Sequence, residues 1–273
     1  MRRTAGRKRP LLETVDLFEL DFVSEATIDE VADALFDDDR ETSGWSCVAT
    51  PNVDHIVRYR RYPPDRVVAE QSAVVLPDGM PIVWTSRLVG RPIRARLAGS
   101  DLFTVLWRRI VAEQVPATLV AARQDVADAM AAEYPGARIV VPPMFDLDRP
   151  DQVDPVVDEL VEVCAEDRSR FLLICISAPK SHHLSARLQE RWGDAPGTPH
   201  VLCLGGSADM YLGLTPRAPR WMQRVGLEWL HRLAKEPRRL FRRYLIDDAS
   251  FVGDVWREWR RTRRSPGVAD GTP

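Results

Sequence analysis

FLLICIS (171–177), HVLCL (200–204) and the Gly205-Gly206 that follows are the segments from which the fold is read. FLLICIS is apolar at every position up to its serine, so it does not alternate as a strand with one wet face would. A short, wholly apolar run bounded by polar residues fits a strand buried on both faces. Between the two runs, residues 181–192 read as a helix. Working outward, WSCVAT (45–50), AVVLP (73–77), ATLVA (117–121) and ARIVV (137–141) repeat the pattern. Helical stretches are expected over 53–61, 80–89 and 152–166, with a further helix after ATLVA. Asp101 is expected to cap a helix running through Leu102, Val105, Leu106 and Ile110. Thr27 and Glu30 form a T-x-x-E capping box ahead of Ile28, Val31 and Leu35. Apolar strands alternating with amphipathic helices predict an α/β fold: a Rossmann-like, mostly parallel sheet with helices on both faces. Such sheets bind ligands at the carboxyl ends of their strands.

The 273 residues are 45% hydrophobic and 29% charged, enough for a sizeable core under a well-solvated surface. Charge is unevenly placed. Residues 217–264 hold 14 Lys and Arg against 6 Asp and Glu, a balance of +8, and the remainder carries −10. A basic end on an acidic body suits a polyanionic partner: anionic lipid, nucleic acid or a phosphorylated substrate. No nucleic-acid motif accompanies the charge. Cys47, Cys164, Cys175 and Cys203 show no metal-ligand spacing and read as inert core thiols of a reducing compartment. The basic start MRRTAGRKRP lacks the apolar run of a signal peptide, and LLETVDLFELDF is broken by acids. No stretch approaches a spanning helix.

The expected organisation is a disordered start (1–12), an α/β body (13–216), a basic helical appendage (217–264) and a disordered tail (265–273). In the appendage, Met222, Val225, Trp229 and Leu233 share one helical face. Pro237 suits the first turn of a second helix, in which Leu240/Phe241 and Tyr244/Leu245 recur four apart beside paired arginines. Phe251, Val255 and Trp259 make a third stripe, flanked by Arg257, Arg260, Arg261 and Arg264. Apolar aromatic faces with arginine margins fit a headgroup–acyl boundary, although such helices also dock on their own domain.

Four strand-end clusters carry the candidate chemistry: Thr50-Pro51-Asn52 with Asp54-His55, Asp78-Gly79, Ser177-Ala178-Pro179-Lys180, and Gly205-Gly206-Ser207-Ala208-Asp209. Asp78 suits a general base acting on a sugar hydroxyl, or an N-cap. Gly205-Gly206 lets backbone N–H groups approach a phosphate. No Walker A, G-x-G-x-x-G, G-x-S-x-G or D-x-D pattern occurs. His182-His183 reads as a solvated helix start or as a pair supplying ligand contacts at the strand end. Tyr59 and Tyr62 among Arg58, Arg60 and Arg61 read as a solvated face or a lip near the substrate.

The order of these clusters, with the run LxGRxIxxRLxGSDLF (88–103) and RAPRWMQRVGLEWLHRLAKEPRRLFRRYL (217–245), resembles the WecG/TagA/CpsF family of bacterial glycosyltransferases over roughly residues 45–245. The resemblance implies an inverting transfer of a sugar from a UDP-sugar to a polyprenyl-pyrophosphate-linked acceptor, without metal ion or cofactor. It implies Asp78 as base, with Thr50 and Asn52 in the same pocket. It places Arg232, Arg239 and Arg242 over the diphosphate, and Asp209, Gly205, Gly206 and Lys180 on the donor side. The expected location is the cytoplasmic face of the cell membrane, bound peripherally to its anionic surface, without nucleic acid. A homo-oligomer is compatible with this. Two departures stand out. The family's G-x-P-K-Q-E reads here Ser177-Ala178-Pro179-Lys180-Ser181-His182, and its Gly-Gly after the third strand is Ala121-Ala122. These departures motivate the alternative of a non-catalytic relative that binds a UDP-sugar or lipid-linked glycan and scaffolds a biosynthetic complex.

Overall fold

The computed structural model describes residues 11–215, 218, 219, 222 and 250–264. Eight strands form one sheet in the order β1-β2-β4-β3-β8-β7-β5-β6. In chain order they are β1 (Thr14–Leu17), β2 (Leu20–Val23), β3 (Ser46–Ala49), β4 (Val74–Val75), β5 (Ala117–Ala121), β6 (Arg138–Val140), β7 (Phe171–Cys175) and β8 (His200–Cys203). All pairings are parallel except β1 with β2. The helices are α1 (Ile28–Asp37), α2 (Val53–Arg61), α3 (Pro63–Glu70), α4 (Met80–Leu88), α5 (Gly99–Glu113), α6 (Gln124–Glu133), α7 (Pro150–Glu166), α8 (Lys180–Trp192), α9 (Ser207–Tyr211) and α10 (Phe251–Arg264). The expected α/β fold and mostly parallel sheet are what the chain forms.

Alternate strand residues explain why the runs are apolar throughout. Val48, Val74, Leu119, Leu173 and Leu202 enter a core shared with α1, α5 and α6. Their neighbours Cys47, Val120, Leu172, Ile174 and Val201 enter the opposite core, under α7 and α8. A third cluster joins Phe22, Ala49 and Val75 to α2, α4 and α10. Successive side chains point to opposite faces, so a sheet covered on both sides needs both sets apolar. All four cysteines are free and buried in these strands and helices, and burial pushes the Cys164 thiol up to about 11.

The structure corrects several expectations. LLETVDLFELDF contains an antiparallel hairpin that its composition hid. Phe18 and Glu19 both take positive φ, 55° and 61°, so the two-residue turn forms without asparagine or glycine. Phe18 is held there by its ring contact with Phe251. Leu11 and Leu12 pack against the first core. Asp101 does not cap α5, whose N-cap is Ala98. It lies in the first turn, where negative charge is favoured. The Thr27–Glu30 capping box forms as expected.

The chain after β8 is described only in part. The stripes at Met222–Leu233 and Leu240–Leu245 lie largely outside the described residues. Helix α10 is described and docks on the body. Phe251 joins the third core cluster and Val255 packs against it. Asp254 and Glu258 are also buried, beside Arg60 and Arg261 respectively. Arg261 also reaches Asp16 of β1. Val252 and Trp256 face outward. Among the described residues no helix is long and apolar enough to cross a membrane.

Candidate functional site

Strands β3 and β8 are neighbours in the sheet, and the helices that follow them leave toward opposite faces. That divergence opens a crevice at their carboxyl ends, the usual ligand position in such sheets. Around it, loops from β3, β4, β8 and the start of α5 are tied together. The Thr50 hydroxyl donates to the Cys203 carbonyl at 3.3 Å, joining the ends of β3 and β8. The Asp78 backbone N–H donates to the Pro51 carbonyl at 3.1 Å, and Leu97 N–H to the Pro77 carbonyl at 3.1 Å.

Asp78 is not the N-cap residue of the helix that follows it. α4 has Gly79 as N-cap and no side-chain cap bond. Gly79 has φ 156°, a conformation that side-chain-bearing residues avoid. The turn directs the Asp78 carboxylate across to the next helix. Its Oδ2 accepts from Gly99 N–H at 3.4 Å, in the first turn of α5, and its Oδ1 lies 3.9 Å from Arg96 Nη1. Arg96 also approaches Asp101, at 3.7 Å. A helix N-terminus and an arginine thus place positive charge beside one carboxylate that is still 27% exposed. Gly99 is needed for this closeness: a Cβ there would lie 3.0 Å from Thr50 Oγ1. Sequence reasoning did not single out Arg96. It lies within the run 88–103, and only the approach of that run to Asp78 marks it.

Asn52 is the N-cap of α2, and its side chain accepts from His55 N–H at 3.3 Å. Thr50, Asn52 and Asp78 are therefore drawn together at one strand end.

The expected donor-side residues are arranged otherwise. Gly205 adopts φ 56°, and nothing lies within 4 Å of a Cβ built at Gly205 or Gly206. Asp209 is buried and takes a 2.8 Å ion pair from Arg123 Nη1. Arg123 follows β5 and also binds Asp125, so it is a second residue the sequence did not flag. Lys180 opens α8 with its ammonium 4.5 Å from the Phe145 ring centroid. It lines a cleft of about 850 Å³ with Arg58, Tyr62, Asp65, Met144 and His183. Asp78 does not line this cleft.

His182 is not on a solvated surface. It is buried, its ring 5.0 Å from His55 and 5.9 Å from Tyr59, and burial pushes its pKa down to about 4. Ser181 is buried too. Tyr59 likewise faces the core, whereas Tyr62 is exposed under Arg58 at the cleft. Arg232, Arg239 and Arg242 lie outside the described residues. Among the described residues no group of three or more His, Cys, Asp or Glu side chains could hold a metal ion.

Comparison with known proteins follows the same span. The model of the glycosyl transferase WecG/TagA/CpsF family matches residues 15–265. A Bacillus spizizenii (strain ATCC 23059 / NRRL B-14472 / W23) protein named N-acetylglucosaminyldiphosphoundecaprenol N-acetyl-beta-D-mannosaminyltransferase is 26% identical over 235 residues, 84% of this chain and 86% of that protein. A Bacillus subtilis (strain 168) protein of the same name is 27% identical over 177 residues, 62% of this chain and 64% of that protein.

Proposed function

The chain belongs to the WecG/TagA/CpsF family of glycosyltransferases, and from that premise we propose that it moves an N-acetylhexosamine from a UDP-sugar to a polyprenyl-diphosphate-linked acceptor, with inversion and without a metal ion. The observation that carries this reading is the part-exposed Asp78 carboxylate at the strand end, set beside Arg96 and the Gly99 N–H.

In the proposed step the acceptor hydroxyl attacks the anomeric carbon from the face opposite the leaving group. The new C–O bond forms as the bond to UDP breaks, the proton passes to Asp78, and UDP leaves with the bonding pair. Thr50 and Asn52 border the reacting groups. Charge developing on the diphosphate needs cationic and backbone donors. We assign that task to Arg232, Arg239 and Arg242, with Gly205 and Gly206 contributing backbone N–H groups and Lys180 and Asp209 on the donor side. The scaffold alternative rests on Ser181 and His182, whose burial leaves neither on the cleft wall. The Asp78 cluster argues against it.

Membrane contact is proposed through the outer face of α10. There Arg260 lies 3.6 Å over the Trp256 ring and Arg263 3.9 Å over Trp259, with Val252 exposed beside them. Such arginine-flanked tryptophans suit a headgroup boundary. Because Phe251 of the same helix is a core residue, deleting the whole C-terminal segment would disturb the fold. Substituting Trp256→Ser with Val252→Ser tests the surface alone. Flotation with phosphatidylglycerol vesicles is expected to fall at unchanged melting temperature; unchanged flotation overturns this membrane role. The transferase reading is tested with UDP-N-acetylmannosamine and a short-chain GlcNAc-diphosphate lipid. Product formation by the full chain is expected, and its absence with every UDP-N-acetylhexosamine tried overturns the reading.

A further inference from the structure

Asn52 and His55 make an unusual capping box. The Asn52 backbone N–H points at His55 Nδ1, at 3.2 Å, while Asn52 Oδ1 lies 2.9 Å from the same nitrogen. Oδ1 also accepts from the His55 backbone N–H. One neutral imidazole nitrogen cannot both accept from an N–H and donate to an oxygen. The His55 tautomer therefore decides how the carboxamide sits. With Nδ1 protonated, Oδ1 is held toward the ring by two donors and the NH2 group is turned away from it, while the Asn52 backbone N–H loses the ring as its acceptor. With Nδ1 bare, two lone pairs face each other at 2.9 Å and the carboxamide is driven to turn over.

The ring of His182 lies against His55 at 5.0 Å, and Tyr59 closes the cluster at 5.9–6.0 Å from both. His182 Nδ1 and the Tyr59 hydroxyl are buried with no hydrogen-bond partner among the described residues. Asp65 and Arg58 are the charged groups acting on His182, and their effects oppose one another. Two buried polar atoms left unmatched cost stability, so a role beyond packing is worth seeking here.

We propose that His55 and His182 are positioning residues for Asn52, His55 holding the carboxamide so that its NH2 faces the strand-end pocket as a hydrogen-bond donor, and His182 locking the His55 ring. The inference rests on the proposed transfer reaction, for it gives Asn52 a donor's task toward an oxygen of the sugar or diphosphate. It also gives a task to the histidine that stands where the family's motif has glutamate.

The test uses the full chain with 15N-labelled histidine and, separately, the two substrates named above. Long-range 15N–1H spectra are expected to show His55 as the Nδ1–H tautomer, and as a mixture in His182→Ala. Finding His55 as the Nε2–H tautomer in the unaltered protein overturns the proposal, whether or not the protein transfers sugar. In turnover, His182→Ala is expected to lower kcat about tenfold or more with acceptor KM little changed. His182→Phe, which keeps a ring in place, restores most of it. In an Asn52→Ala background, His182→Ala is expected to add nothing further. Independent, multiplying effects of the two substitutions would show that His182 does not act through Asn52. If the unaltered chain transfers no sugar, the functional reading fails while the tautomer still decides the pair.

Discussion

The two sides of the crevice are built differently. On the β3–β4 side, short loops are knotted to each other by backbone bonds, and the polar side chains of Thr50, Asp78 and Arg96 reach across to segments far from their own. On the β5–β7–β8 side, Asp209 and Arg123 pair with each other, Lys180 rests on Phe145, and Ser181 and His182 turn into the core. The first side gathers a part-exposed carboxylate, an arginine and a helix N-terminus, the group that the proposed reaction uses. The polar groups of the second side pair with one another, so in the proposed reaction a bound donor draws Arg123 or Lys180 out of existing contacts or meets other groups. Chemistry should therefore be most sensitive on the first side, and donor affinity on the second.

That contrast can be broken by experiment. The largest effect is expected from Asp78→Asn, which removes the proposed base while keeping the shape: kcat should drop by about 10²–10⁴-fold, with the melting temperature nearly unchanged. Near-normal turnover would remove Asp78 from the chemistry. Next, Arg96→Ala should cost about 10²-fold in kcat. Arg96→Lys should recover part of it, because charge is kept and the planar fork is lost. Steady-state kinetics in which both variants match the unaltered protein would separate Arg96 from the step.

Gly99→Ala tests the tightness of the first side. Its Cβ would press on Thr50, so a loss of about 1–3 kcal/mol in denaturant stability is expected, together with lowered kcat. No change in either would show that Thr50 yields freely. On the second side, Arg123→Ala should act mainly on UDP-sugar binding, shifting KM several-fold with kcat held, on the order of 1 kcal/mol. A loss confined to kcat would place Arg123 with the chemistry instead.

A global effect, on stability and not on the chemistry, is expected with pH. His182 and His200 are buried with pKa values pushed down to about 4 and about 3. The unfolded chain takes up protons near pH 6.5 while the folded chain resists, so stability is full above that pH and declines below it. Each histidine costs about 1 kcal/mol per pH unit over that fall. The share of His182 ends near pH 4 and that of His200 near pH 3. Urea titrations at pH 7 and pH 5.5 read the difference, and His182→Phe should flatten it. A midpoint independent of pH would place both imidazoles in contact with water.

Strand runs such as FLLICIS and ATLVA were readable because burial on both faces leaves a run of apolar residues that nothing else in a polar chain mimics. The Thr27–Glu30 box was readable because capping is a contact three residues long. The β1–β2 hairpin was not, since Phe18-Glu19 carries no turn residue and is held by Phe251 from the far end of the chain. His182 was misread for a related reason: a polar residue at a helix start is usually wet, and only the packing of α8 against neighbouring helices, with His55 and Tyr59 of α2 against its ring, dries it.

The sequence alone was sufficient for the α/β class, the parallel sheet, the strand-end position of Thr50, Asn52 and Asp78, and the family, because these follow from local patterns and motif order. Tertiary packing was required to show that the Asp78 carboxylate reaches Gly99 of α5 and Arg96. It was also required to show that Arg123 neutralises Asp209, that His182 lies against His55, and that α10 docks through Phe251 and Arg261. Each of these depends on which distant segments the sheet order brings within a few ångströms, and contacts across 18 to 245 residues leave no trace in local periodicity.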